Sequence, residues 1–154
     1  MPDPKNTTFK PIGTTRQKMH GATAVLVSGL SAQQQQQLRQ LMDNAGLQTV
    51  PAVYINAESL SLTLADAAKL PAESHAGETA ELPVAMIMSG MLDCDLHTLM
   101  KAYRESDLPR PLWASVTPTS EKWTIKALLI ELLKEREALR EATNRQAPPS
   151  NQPR

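Results

Sequence analysis

Ala24-Val-Leu-Val-Ser-Gly-Leu30 and Ala85-Met-Ile-Met-Ser-Gly-Met91 are two short apolar runs, each carrying a Ser–Gly pair and set 61 positions apart. An apolar run of this length bounded by Gly reads as a strand buried on both faces. After the first run, Ser31 can cap a helix and Gln34 can complete a capping box. Leu38, Leu41, Met42 and Ala45 form its inner stripe, and Gly46 supplies a left-handed stop. The Gln33–Gln37 run reads as the solvated face of that helix. A second strand is expected over 50–56, where Pro51 marks a strand start or a sheet edge. A second helix is expected over 60–70, with Leu60, Leu64, Ala67, Ala68 and Leu70 inside.

The second run starts the same series again. A strand over 83–89 leads to a helix over 93–106, with Asp93 as cap and Leu96, Leu99, Met100 and Tyr103 inside. Pro109-Arg-Pro111 turns the chain into a strand over Leu112–Val116, and Thr117-Pro-Thr-Ser120 starts a last helix. The 61-residue offset runs without a gap from 24 to about 68. Its identities include Ser28/Ser89, Gly29/Gly90, Leu38/Leu99, Leu47/Leu108, Ser59/Ser120 and Thr63/Thr124, and Leu26/Ile87 is a similar pair. A gapless match over strand, helix, strand and helix predicts a duplicated βαβα unit, with repeats at 24–70 and 83–135. Alternating strands and helices predict an α/β fold: one four-stranded, mainly parallel sheet of order 2-1-3-4, with helices on both faces. A pseudo-twofold along the strands would place both Ser–Gly turns at one crevice. A sandwich with some antiparallel pairing is the alternative.

The domain is expected over 23–144, with an acidic linker at 71–82 between the repeats. Residues 1–22 and 145–154 read as flexible tails, of which only Phe9 and Ile12 are suited to dock. Formal net charge is zero but unevenly spread: +3 over 1–22, −6 over 23–121 and +3 over 122–154. An acidic body argues against a nucleic-acid partner. Cys94 is the one cysteine, which excludes an intrachain disulfide and suits a reducing cytoplasm. No apolar run has the length of a membrane span, and the N-terminal stretch is polar, so a soluble cytoplasmic protein without a membrane partner is expected.

Chemistry is sparse. In a doubly wound sheet, ligands bind beyond the strand ends where the order reverses. The candidate ligand-binding residues are therefore Ser28, Gly29, Ser89 and Gly90, with Asn56 and Thr117 at the ends of the outer strands; free helix N–H groups there could hold an anion. The plainer reading is that Gly permits a tight turn and Ser caps. No glycine-rich nucleotide signature or P-loop occurs, so no cofactor is expected. Cys94 and His97 lie three apart on one helix, but two ligands do not make a metal site. No catalytic residue is assigned: Cys94 has no assignable base, and neither Ser28 nor Ser89 has a nucleophile-elbow context. Tyr54, Trp113 and Trp123 read as core or rim packing. The last helix is longer than its counterpart, and its turns from Leu133 to Glu141 carry ion-pair spacings suited to a solvated face.

Ala114-Ser-Val-Thr-Pro-Thr-Ser-Glu-Lys-Trp-Thr-Ile-Lys-Ala-Leu-Leu-Ile-Glu-Leu132 resembles the signature of a small bacterial domain-of-unknown-function family. The pattern is a Thr-Pro helix start, then Trp, then a Leu-rich helix with Glu, met here by Thr117, Trp123, Leu128 and Glu131. Ser120 stands where Asn is frequent. Met86-Ile-Met-Ser-Gly-Met91 is similar to the family's opening strand and turn, so the resemblance covers 83–135. It implies a fold unit and a bacterial origin, and no activity. Together these readings predict a non-enzymatic binding or self-association domain, whose partner is a second copy or another protein. The alternative is a small-ligand or anion-binding domain, possibly enzymatic, that uses the paired turns.

Overall fold

A computed structural model of the chain describes residues 18–78 and 81–146. β1 (Ala24–Ser28) is buried along its whole length, and its alternate side chains feed two separate cores. α1 (Ala32–Asn44) follows, opened by the expected capping box: Ser31 Oγ accepts from Gln34 N at 3.2 Å, and Gln34 Oε1 accepts from Ser31 N at 2.9 Å. β2 (Ala52–Tyr54) lies parallel to β1. The helix expected over 60–70 is broken into a 3-10 turn at Glu58–Ser61 and the short α2 (Leu64–Ala68). Thr63 causes the break, because its Oγ1 accepts from Asp66 N at 3.1 Å and so restarts the helix.

The second half repeats these devices. β3 (Ala85–Ser89), α3 (Asp93–Arg104) and β4 (Leu112–Ser115) are followed by a 3-10 turn at Ser120–Lys122 and α4 (Ile125–Gln146). Asp93 is not the cap of α3 but its first residue, with Leu92 in the cap position. α4 starts later than Thr117-Pro118 suggested, because Thr124 Oγ1 accepts from Ala127 N as Thr63 does in the first half.

The sheet order is β2-β1-β3-β4, as expected, with helices on both faces. Val25, Val27, Met86 and Met88 point to α1 and α3, where Leu38, Met42, Leu99 and Tyr103 complete one core. Leu26, Val53 and Ile87 point to α2 and α4, meeting Leu64, Ala67, Ile125 and Leu129. The parallel expectation holds for β1·β2 and β3·β4 but not for the centre, where β1 and β3 are antiparallel. The cause lies after β2. Five-residue α2 descends only about 7 Å. The chain then returns past β2, and Glu78 reaches Asn56 at its carboxyl end (Asn56 Nδ2 to Glu78 Oε1, 2.8 Å). β3 therefore starts beside the end of β1, with Ala85 opposite Ser28.

The register at this centre is reciprocal. Leu26 pairs with Ile87, its own counterpart at the 61-residue offset, and Val25 and Val27 pair with Met88 and Met86. Thr63 bridges Thr124, again its counterpart. Around that bridge Leu64 N donates to Trp123 O and Ile125 N donates to Leu62 O, both at 2.9 Å. The relation between the halves therefore runs about an axis across the strands, not along them.

Before β1, Lys18 bridges Leu92 and Met19 N donates to Met91 O at 2.8 Å, so the last part of the expected N-terminal tail lies against the body. Phe9, Ile12 and the C-terminal tail from 147 lie outside the described residues. Arg145 and Gln146 close α4. No helix among the described residues is long and apolar enough to cross a membrane.

Leu26 is fully buried at the reciprocal centre. Leu26→Ala is expected to lower unfolding free energy by about 2–5 kcal/mol. Thr63→Ala, which removes one cap, should cost about 1 kcal/mol. Urea denaturation with an unchanged m-value checks both.

Candidate functional site

The antiparallel centre separates the two Ser–Gly turns. Ser28 pairs with Ala85 and Ser89 with Ala24, so the turns sit at opposite ends of β1 and β3. Each is also a closed seam. Gly29 has φ +82°, and a Cβ built on it would lie 2.7 Å from Leu82 O, Pro83 O and Val84 Cα. Ser28 Oγ donates to Pro83 O at 2.7 Å. Gly90, with φ +60°, is pressed in the same way against Gly21 and Ala22. Gly90 N donates to His20 O at 2.9 Å, and Thr23 Oγ1 donates to Gly90 O at 2.8 Å. The approach to each central strand thus lies over the turn that ends the other. Ser89 Oγ is buried and has no partner among the described residues.

Asn56 and Thr117 hold the two 3-10 turns. Asn56 Oδ1 accepts from Ser59 N at 2.8 Å and Ser59 Oγ at 2.6 Å, while Thr117 Oγ1 accepts from Ser120 N at 3.0 Å. Asn56 shares an end of the sheet with Ser28 and Gly29; Thr117 shares the other end with Ser89 and Gly90. The six candidate residues therefore form no common crevice. On α3, His97 Nε2 lies 3.6 Å from Asp93 Oδ1, and half-buried Cys94 directs Sγ towards Asp95 Oδ1 at 3.9 Å. Among the described residues no group of three His, Cys, Asp or Glu side chains is placed to hold a metal ion.

Two open concavities lie instead at the two edges of the sheet. Beside β2 a groove of about 440 Å³ is lined by Gln35, Arg39, Tyr54 and Glu73. Here the segment expected as a plain linker closes the strand edge: Glu73 N donates to Ala52 O at 2.7 Å, and Tyr54 N donates to Ser74 O at 3.0 Å. Arg39 fastens that segment, with Nη1 3.4 Å from Glu73 Oε2 and further bonds to Asp43, Leu47 and Val50. Glu73 and His75 adopt φ of 64° and 61°, so the segment bends rather than forming a strand.

Beside β4 the groove is larger, about 530 Å³, and is lined by Tyr103, Arg104, Leu108, Arg110, Pro111 and Trp113. Leu112 N and Val116 N donate inward to Val84 O and Met88 O, so the N–H groups of Trp113 and Ser115 face outward. Those are the positions of Ala52 and Tyr54 in the first half. No described segment closes this edge, and β4 is correspondingly less buried than β2. Trp113 meets Tyr103 edge-on, centroids 5.4 Å apart at 80°, and Tyr103 Oη donates to Pro109 O at 2.6 Å. Arg104 and Arg110 make no ion pair among the described residues.

Sequence reading assigned Trp113 to packing and Pro109–Pro111 to a turn. The available signal was an aromatic residue preceded by Arg104 and Arg110, on a short strand that opens after proline, as edge strands do. The closure of β2 by Glu73 and Ser74 had no such signal, because both bonds come from backbone.

The strand, helix, strand and helix of the second half define the recognisable unit. Residues 84–139 match the family described as Domain of unknown function (DUF3783). The match takes in β3 to β4 and α4 as far as Leu139, close to the span over which the signature was seen. No curated protein and no solved structure matches the chain. The DUF3783 segment thus owns the open edge, and the closed edge lies outside it.

Gly29 should not tolerate a side chain: its φ is strained for L-residues and three backbone atoms crowd it. Gly29→Ala is expected to cost about 3 kcal/mol or more, whereas Gly46→Ala, with open space around it, should cost no more than about 1–2 kcal/mol; chemical denaturation compares them.

Burial pushes the Tyr103 phenol up to about 12, from an ordinary value of 10.0. Burial, and after it the Glu73 carboxylate, push Tyr54 to about 12 against the opposing Arg39. A phenol raised in the folded state is neutral there but ionises earlier when unfolded. Its stabilising contribution is complete below pH 10 and lost as pH rises towards 12. Since these are the two tyrosines of the chain, phenolate absorbance should stay low past pH 10 and then rise together with loss of circular dichroism.

Proposed function

We propose that this chain is a cytoplasmic protein-binding domain, built by internal duplication, in which one half is closed and the DUF3783 half presents its strand edge to another protein. The observation that carries the reading is the contrast between equivalent edges. The outward groups of Ala52 and Tyr54 are taken up by Glu73 and Ser74, while those of Trp113 and Ser115 meet no backbone partner among the described residues and lie beside a groove holding Trp113 and two arginines. Exposed strand edges are templates for pairing unless they are blocked, and aromatic and Arg side chains dominate protein interfaces. The reciprocal register and the shared Thr63/Thr124 break support duplication as the origin of the fold.

α4 serves as support rather than as the docking surface in this reading. Ile125, Leu128 and Leu129 bury its first turns, and the helix from Lys134 to Glu141 is exposed and charged, with Arg140 Nη1 3.5 Å from Glu137 Oε1. Exposed pairs of this kind contribute little energy and keep a surface solvated.

Ser115→Pro removes an outward N–H and fills the edge with a ring, a change that an edge strand accepts. The variant should keep the circular dichroism of the parent chain. Extended peptides selected from a random display library on the parent chain should shift the amides of Trp113 and Ser115 in its NMR spectrum and bind Ser115→Pro at least about tenfold more weakly, a loss of about 1.4 kcal/mol. Selected peptides that bind parent and variant equally would overturn the reading.

A further inference from the structure

We infer that the segment received by β4 is an extended acidic peptide of another protein, whose backbone pairs with Trp113 and Ser115 and whose carboxylates meet Arg104 and Arg110. This rests on the reading of β4 as a docking edge and adds the chemistry of what docks. The chain supplies its own precedent. At β2 the covering segment brings backbone partners to Ala52 and Tyr54, and the carboxylate of Glu73 goes to Arg39.

At β4 the counterpart of Arg39 is Met100, so that cation is gone, but two others take its place. Arg104 stands where the first half has Asp43, and Arg110 where it has Thr49. Arg39 is held by Asp43 Oδ1 at 3.0 Å as well as by Glu73, whereas neither Arg104 nor Arg110 has a carboxylate partner among the described residues. Trp113 replaces Ala52 and gives an incoming side chain a broad apolar surface backed by Leu108 and Pro111. Side chains of an extended peptide alternate between faces, so carboxylates at every second position all face one way.

Other occupants fit less well. A second copy pairing β4 to β4 would bring two sets of Arg104 and Arg110 together, a like-charge contact that costs affinity. The chain's own ends are wrong in sign: 1–17 hold Lys5, Lys10 and Arg16 against Asp3, and 147–154 hold Arg154 and no acid.

The test uses the full chain, isotopically labelled, and two capped nonapeptides, one alternating Val with Glu and one alternating Val with Lys. The Glu peptide should shift the amides of Arg110 and of Leu112 to Ser115 and bind at least about tenfold more tightly than the Lys peptide, from two charge pairs of modest strength. In the double variant Arg104→Glu/Arg110→Glu the preference should reverse, a gain of binding that misfolding cannot imitate. If both peptides shift β4 equally, the acidic partner is wrong and the docking edge stands. If both shift β4 not at all at millimolar concentration, or shift only the β2 edge, the inference and the reading beneath it both fall.

Discussion

The antiparallel pairing of β1 with β3 is the constraint on which the rest of the molecule depends. It places Leu26 against Ile87 in the sheet and, on the same side, Thr63 against Thr124 between the two restarted helices. Once these contacts are made, each parallel pair has one free direction in which to grow, β2 outward from β1 and β4 outward from β3. The two cores follow from strand alternation, since Val25, Val27, Met86 and Met88 face one helix layer and Leu26 and Ile87 the other. The Ser–Gly turns then become the places where one half runs over the other. Glycine is needed there for close approach of backbone.

Much of this was legible in the sequence. The apolar runs at 24–30 and 85–91 marked the central strands, helical spacing placed both inner faces, and the offset gave the strand order. Strand direction was not legible, because a strand buried on both faces has the same composition whichever way it runs. What decided it was the length of α2. Thr63 halved the expected helix, and the chain regained the upper end of the sheet along β2. A Thr inside an apolar-periodic stretch is compatible with either a continuous helix or a restarted one, so the sequence left that open.

The site was less legible than the fold. Ser28, Gly29, Ser89 and Gly90 drew attention because they recur, but recurrence reflected a shared packing demand. Asn56 and Thr117 recur for the same reason, each satisfying a 3-10 turn. The asymmetry is the more informative feature, since equivalent positions differ where one edge is covered and the other, among the described residues, is not: Ala52 against Trp113, Asp43 against Arg104, Arg39 against Met100. Repeat comparison rewards likeness and passes over such differences.

The crossed approach segments have a consequence for how the molecule comes apart. Leu82 to Val84 seal the end of β1, and Gly21 and Ala22 seal the end of β3, so each half lends the other its last piece of packing. Pulling either approach segment away opens a seam in the opposite half, and neither half can fray alone without exposing the other's central strand. The segments that lead into the two central strands are in effect exchanged between the halves. The two halves should melt as one cooperative unit, however independently they are read in sequence.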